Sequence, residues 1–147
     1  MQGPLEALLV GWEAAAEQAS QLRSTIVQDT KRFSRALSRF AWLHPVYGPK
    51  AALLRGEIDW RAGNCKSARA WWTRSLAASH ALCTAQGEDL NEFLMFDRAL
   101  ALMALGRTAP QRDERHRCLE EAWELFSRCE LPYFQRHAER LLATQPS

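Results

Sequence analysis

Residues that interrupt regular secondary structure are scarce in this sequence, which has 7 glycines and 6 prolines among 147 residues. With 47% hydrophobic and 24% charged residues, the composition is typical of a folded chain and excludes a disordered linker or a collagen-like repeat. The length predicts a single domain that spans residues 1–147.

Long apolar runs are also missing. Glu6 and Glu13 interrupt the most apolar stretch, so no run of about 18 uncharged apolar residues exists, which excludes a membrane-spanning segment. The first residues carry no basic stretch, whereas a secretory signal peptide begins with one. We therefore expect a cytoplasmic protein with no membrane partner.

Catalytic and metal-binding motifs are absent as well. The sequence has no phosphate-binding loop, no nucleophile-elbow motif of hydrolases and no H-E-x-x-H motif. Its four cysteines form no C-x-x-C pair, which favours thiols over disulfides or zinc ligands. His116 and Cys118 point in different directions on a helix, and Glu120 and Glu124 are expected to pair with Arg117 and Arg128, which lie at helical neighbour spacing. We expect a non-enzyme with no catalytic residue, cofactor or metal.

Charge is distributed unevenly behind a net value of +2. Residues 1–20 have a net charge of −3, residues 21–80 have +8, and residues 81–147 have −3. Such a basic middle is typical of a surface that binds an acidic partner, a polyanion or the acidic ends of a neighbouring copy, and equally of the solvated face of ordinary surface helices.

The first third of the chain has a heptad pattern. Apolar residues recur at two positions of the heptad, and together they are called here the heptad seam. The first position holds Leu5, Trp12, Ala19, Ile26, Phe33 and Phe40. The second holds Leu8, Ala15, Leu22, Ala36 and Leu43, with the polar Asp29 as its one interruption. This pattern predicts one amphipathic helix over residues 4–43, or two helices that meet near residues 23–25. The seam either forms a homodimer through residues 5–43 or packs against later helices of the same chain, which we favour.

Helix start and stop signals divide the rest of the chain. Gly63 is a left-handed stop with Asn64 as the next N-cap, Gly106 is a second stop, and Thr108 with Gln111 forms a capping box. The predicted helices are 49–62, 65–85, 90–105, Thr108 to Cys129, and 133–143. The 90–105 helix is the most apolar, and we expect it to be the most buried.

No segment alternates in the manner of a strand, so the predicted fold class is all-α. Residues 1–44 form the N-terminal long helix or helix pair. Residues 49–143 form antiparallel helical hairpins followed by a capping helix, which gives about six helices in all.

Two segments have the small and aromatic residues of a helical hairpin repeat. The first contains Leu54-Arg55-Gly56, Gly63, Ala68 and Trp72, and the second contains Leu105-Gly106, Ala122 and Phe126. Both resemble the tetratricopeptide pattern, in which a small residue stands where two helices cross and an aromatic residue fills the gap one turn later. The two glycines are 50 residues apart, whereas the tetratricopeptide period is about 34, and Asp59 stands where the family prefers tyrosine.

A second resemblance covers residues 37–82 and 99–140. The matching residues are Leu37-Ser38-Arg39-Phe40, Pro45, Pro49, Leu54-Arg55-Gly56, Trp60, Gly63, Ala68, Trp72, Ser75-Leu76, Ala77-Ala78, Ala101-Leu102, Leu105-Gly106-Arg107, Leu119-Glu120-Glu121-Ala122 and Leu125-Phe126. They are similar to the helical-repeat region at the C-terminal end of large adenylyl cyclases and related signalling ATPases. The resemblance implies a sensing or docking scaffold of a signalling assembly and not its catalytic part.

The expected partner is a protein or peptide. Helical-repeat proteins bind ligands on the concave wall formed by the first helix of each hairpin. The candidate contact residues on that wall are Arg55, Asp59, Asn91, Met95 and Arg98. Residues Lys31, Arg32, Arg35 and Arg39 form a second candidate, called here the basic stripe.

Two alternatives stay open at the level of sequence. The basic segment 21–80 could bind nucleic acid or another polyanion, with exposed aromatic residues stacking on bases. The aromatic candidates are Trp42, Tyr47, Trp60, Trp71 and Trp72. Self-association of the acidic ends with the basic middle is the other alternative.

Overall fold

The computed structural model describes the backbone of residues 20–86 and 89–144, and the side chains of residues 24–85 and 94–144. Within these ranges every regular element is a helix, so the all-α prediction is confirmed. The elements are α1 (Ser20–Leu43), a 3-10 turn (Pro45–Tyr47), α2 (Gly48–Arg61), α3 (Cys65–Gln86), α4 (Asp89–Arg107), α5 (Arg112–Arg128) and α6 (Pro132–Ala143). The chain divides into two compact units between Tyr47 and Gly48.

In the first unit, α1 is one unbroken helix from Ser20, so the alternative of a break near residues 23–25 is wrong. The remainder of the predicted helix, residues 4–19, lies outside the described residues. Helix α1 ends as predicted before Pro45, where the His44 amide donates to the Phe40 carbonyl at 2.9 Å.

The buried face of α1 differs from the heptad seam. Thr30, Ser34 and Leu37 are buried and share one face at i, i+4 and i+7 spacing. The Thr30 hydroxyl donates to the Ile26 carbonyl at 2.7 Å, so this polar group is satisfied within its own helix and can be buried at low cost. Among the seam residues whose side chains are described, Ile26 and Phe33 are half-buried and the others are exposed.

In the second unit, α2 and α3 form the predicted hairpin. Gly63 has φ +84°, the left-handed conformation that ends α2, and α3 begins directly after Asn64. Gly56 lies against the buried indole of Trp72, because a Cβ at this position would stand only 2.5 Å from Trp72 Cδ1. The glycine of the repeat pattern therefore marks the site where the two helices approach closely.

Helix α4 lies at the centre of the second unit, where it packs against α2, α3 and α5. None of its described side chains, those of residues 94–107, is exposed, which agrees with the expected burial of this segment. Gly106 does not stop the helix, contrary to the prediction. A Cβ there would lie 2.7 Å from Leu119 Cγ, so this glycine provides space for α5 and α4 continues to Arg107.

The predicted capping box at Thr108 is also wrong. The Thr108 hydroxyl donates to the Ala104 carbonyl at 2.9 Å, which places this residue at the end of α4. Helix α5 begins four residues later at Arg112, and its N-cap Gln111 forms no side-chain cap bond.

Helices α5 and α6 complete the core of the second unit. Phe126 of α5 stacks on Phe134 of α6 with ring centroids 5.3 Å apart, and Phe96 of α4 contacts both rings. Pro132 opens α6, because its fixed φ suits the first turn of a helix. Successive helices from α2 to α6 pack on one another and are joined by short connections, which is the arrangement of stacked antiparallel hairpins.

Candidate functional site

The predicted concave wall offers few accessible side chains on α2. Arg55 is exposed, and its Nε lies 3.5 Å from Asp59 Oδ1. Asp59 is buried and accepts a hydrogen bond from Ser67 Oγ at 2.6 Å. The structure therefore brings Arg55 and Asp59 together, with Asp59 occupied in linking α2 to α3.

The α4 side of that wall is similarly closed. Met95 is only 5% exposed and belongs to the core. Arg98 is partly exposed, and its Nη2 lies 3.8 Å from Glu121 Oε1 of α5. The side chain of Asn91 lies outside the described residues. Arg55 and Arg98 are thus the two predicted wall residues that the structure leaves accessible.

Lys50, Arg55 and Arg69 of the hairpin, and Arg107 of α4, form ion pairs with acids of the same unit. The ion pairs are Lys50–Asp97 at 3.6 Å, Arg55–Asp59 at 3.5 Å, Arg69–Glu114 at 2.6 Å and Arg107–Glu57 at 2.7 Å. The predicted basic middle, residues 21–80, is therefore not one continuous basic surface.

Arg107 shows how such a pair contributes to the fold. Its guanidinium lies 5.8 Å from the ring centroid of Trp60 and 5.5 Å from that of Trp72, while it donates to Glu57 Oε1. Cation–π contacts of this kind add stability when they are shielded from water. Arg107 thus holds α4 against both helices of the preceding hairpin.

The basic stripe of α1 is different, because all four of its residues are exposed. None of these four bases forms an ion pair with an acid in the described part of the chain. The i, i+4 spacing places Lys31 and Arg35 on one face, and the i, i+7 spacing places Arg32 and Arg39 on the neighbouring face. Residues 24–43 of this helix therefore carry four exposed bases against a single acid, Asp29.

Large exposed apolar side chains gather at the C-terminal end of the same helix. Phe40 is 44% exposed, Trp42 83% and Leu43 66%. In the rest of the described chain, Tyr133 is the one other large apolar residue in this class. We call the basic stripe together with Phe40, Trp42 and Leu43 the basic-aromatic surface.

Sequence reasoning identified the bases of this surface and named Trp42 as one of five aromatic residues that could stack on nucleic-acid bases. Among the other candidate stacking aromatics, Trp72 is fully buried, and Tyr47, Trp60 and Trp71 are half-buried. The available signal was helical spacing: Trp42 lies eleven residues after Lys31 and seven after Arg35, so it shares their face and not the heptad seam.

The described residues contain no cluster of histidine, cysteine and acidic side chains that could hold a metal ion. Cys118 is buried, and its burial, followed by the nearby Glu114 carboxylate, raises the pKa of its thiol. No helix among the described residues combines the length and apolarity that crossing a membrane requires.

Comparisons of this chain with protein-family models, curated proteins and solved structures gave no match. The basic-aromatic surface joins charge for long-range attraction to apolar area for close contact, which suits reversible binding of a macromolecule.

Proposed function

We propose that this chain is a non-catalytic protein-interaction module that binds a partner protein through the basic-aromatic surface of α1. The observation that carries the proposal is that one helix combines three exposed large apolar side chains with four exposed bases that pair with no acid among the described residues. Contiguous exposed apolar area rimmed by polar residues is typical of interaction sites. Tryptophan and arginine are the residues most enriched at the energetic centres of interfaces.

The resemblance to helical-repeat regions of signalling enzymes supports a scaffold role within a regulatory assembly in the cytoplasm. In that role the second unit provides a rigid helical stack, while the contact with the partner lies on α1. The concave wall predicted from the repeat pattern is the competing location, and Arg55 and Arg98 are its accessible residues.

Capture from cell lysate tests the proposal. The tagged chain is compared with a triple variant, Arg32→Glu, Arg35→Glu and Arg39→Glu, with and without nuclease treatment. The matched control is Arg112→Glu, Arg117→Glu and Arg136→Glu, which makes the same change in net charge at exposed arginines of α5 and α6. We expect a protein that survives nuclease and is retained by the control but not by the α1 variant.

Nucleic-acid binding is the second candidate, because an exposed tryptophan beside several bases is also the arrangement that binds single strands. Captured material that disappears with nuclease would support this candidate and contradict the protein-interaction proposal. Its affinity would also decrease steeply with salt concentration, as phosphate contacts require.

A further inference from the structure

Resting on the proposed function, we infer that the partner contacts α1 with an acidic amphipathic helix, which packs on the described part of the heptad seam, Ile26 to Leu43, and pairs its carboxylates with Arg32 and Arg39. Three stripes around α1 carry this inference: the buried stripe of Thr30, Ser34 and Leu37, the heptad seam, and the basic stripe.

The heptad seam has the residue spacing of a surface that binds a second helix, but its described residues are not fully buried. Ile26, Phe33 and Phe40 recur every seven residues, and this period keeps one face turned toward a second helix. Phe40 and Leu43 are exposed, and Phe33 is half-buried. The C-terminal half of the seam therefore retains apolar area for a helix to cover.

The two sides of the seam differ, because one carries exposed arginines and the other carries buried residues. When Ile26, Phe33 and Phe40 are assigned to heptad position a, Arg32 and Arg39 occupy position g. Position e on the opposite side holds Thr30 and Leu37, which are both buried. A helix on the seam therefore reaches the arginine side, and opposite charges at positions e and g are what select a partner helix.

The charges at position g disfavour a second copy of this chain as the occupant of the seam from Ile26 to Leu43. In an antiparallel pair of two copies that overlap over Ile26 to Leu43, position g faces position g, so Arg32 of one copy and Arg39 of the other would repel each other. In a parallel pair, position g faces position e, where Thr30 and Leu37 are already buried. Carboxylates on the facing helix satisfy the arginines in either orientation, so the charges favour an acidic helix.

A designed probe tests the inference with the full chain. The probe is a fluorescent peptide of about three heptads, with leucine at positions a and d and glutamate at positions e and g. The matched probe has lysine in place of every glutamate. Fluorescence anisotropy gives the affinity of each probe for the wild type, for Arg32→Glu with Arg39→Glu, and for the control Arg112→Glu with Arg117→Glu.

We expect the wild type and the control to bind the glutamate probe at least about tenfold more tightly than the lysine probe, which corresponds to about 1.4 kcal/mol. The α1 double variant should reverse this preference and bind the lysine probe. This reversal is a gain of binding, which a misfolded variant could not produce. Replacing Phe40 and Leu43 by alanine should lower the affinity for the glutamate probe, while the preference for the glutamate probe over the lysine probe stays.

Three outcomes would overturn the inference. Equal binding of the two probes by the wild type would exclude charge selection at the seam. A wild-type dimer in sedimentation equilibrium that the glutamate probe does not dissociate would assign the seam to a second copy. Tighter binding of an oligothymidine than of the glutamate probe would assign the arginines to nucleic acid. If lysate capture yields a protein but the probe fails, the inference falls and the proposed function stands.

Discussion

At Gly56 the backbone of α2 lies against the indole ring of Trp72, and this contact explains why a glycine occupies the middle of a helix. Alanine would be favoured there by helix propensity alone, by about 1 kcal/mol. The ring of Trp72 is fully buried and packed by its neighbours, so it cannot move aside for an added methyl group.

We therefore predict that Gly56→Ala lowers the free energy of unfolding by about 2 kcal/mol, because overpacking outweighs the gain in propensity. Urea denaturation followed by circular dichroism measures the change. Gly48→Ala is the matched control at the start of the same helix, where a Cβ would meet nothing within 4 Å. Equal stability of the two variants would show that α2 and α3 are not in close contact at Gly56.

Cys118 predicts a dependence of stability on alkaline pH. Burial raises the pKa of its thiol in the fold above the ordinary value of 9.0. The unfolded chain therefore loses this proton first, and the contribution of Cys118 to stability, complete below pH 9.0, is lost as the pH rises through the raised pKa.

Urea denaturation between about pH 8 and about pH 10 should show a steeper loss of stability in the wild type than in Cys118→Ala. Cys65→Ala serves as the control, since this thiol is exposed, and should keep the slope of the wild type. Identical slopes for all three proteins would contradict the burial of Cys118.

At the scale of the elements, the sequence predicts helices well and their ends less well. Gly63 was identifiable as a stop because Asn64, a good N-cap, follows it directly. Gly106 has the same local signature of a stop, but its function is to provide space for Leu119 on another helix. Thr108 likewise bonds backward to α4. Such tertiary contacts are invisible in a local motif.

Arg69 links three elements and predicts a measurable loss of stability. Its guanidinium donates to the Leu105 carbonyl at 3.1 Å, to Thr108 Oγ1 at 2.9 Å and to Glu114 Oε1 at 2.6 Å. Arg69→Met keeps the aliphatic part of the side chain and removes these bonds. We expect a loss of about 1–2 kcal/mol, reduced by the partial exposure of the ion pair.

Arg74→Met is the control for this experiment, because Arg74 lies on the same helix, is exposed and stacks over Trp71 alone among the described rings. It should change the free energy of unfolding by less than about 0.5 kcal/mol. Thermal or urea denaturation of both variants measures these changes. If Arg69→Met leaves the free energy of unfolding unchanged, the α4–α5 connection does not depend on this arginine.

At the scale of the whole molecule, the site was only partly predictable. The bases of α1 could be read from the sequence, since position in a helix gives their face. Which residues of the predicted concave wall are accessible could not be predicted from the sequence, because the burial of Asp59 and Met95 depends on the packing of α2 and α4. In the part of α1 whose side chains are described, the heptad seam does not mark the buried face, because that face contains Thr30, Ser34 and Leu37.

The arginines of the concave wall are paired with acids, whereas those of α1 have no acid partner among the described residues, and this difference predicts which charge reversal disrupts partner binding. Arg55→Glu with Arg98→Glu should change the affinity for a captured protein partner less than twofold, since both arginines are paired with acids of their own unit. The α1 triple variant should weaken the same complex by at least about tenfold. Titration of the purified partner measures both, and the reverse order would place the site on the concave wall.

The exposure of Trp42 also has a spectroscopic consequence. This indole shares a helix face with Lys31 and Arg35, so dissolved anions are concentrated around it and cations are repelled. Iodide should quench its fluorescence more effectively than caesium, and added sodium chloride should reduce the difference because it screens the local potential. Trp72 is fully buried, so neither ion should quench its fluorescence. When a partner covers the basic-aromatic surface, Trp42 should become equally resistant to quenching.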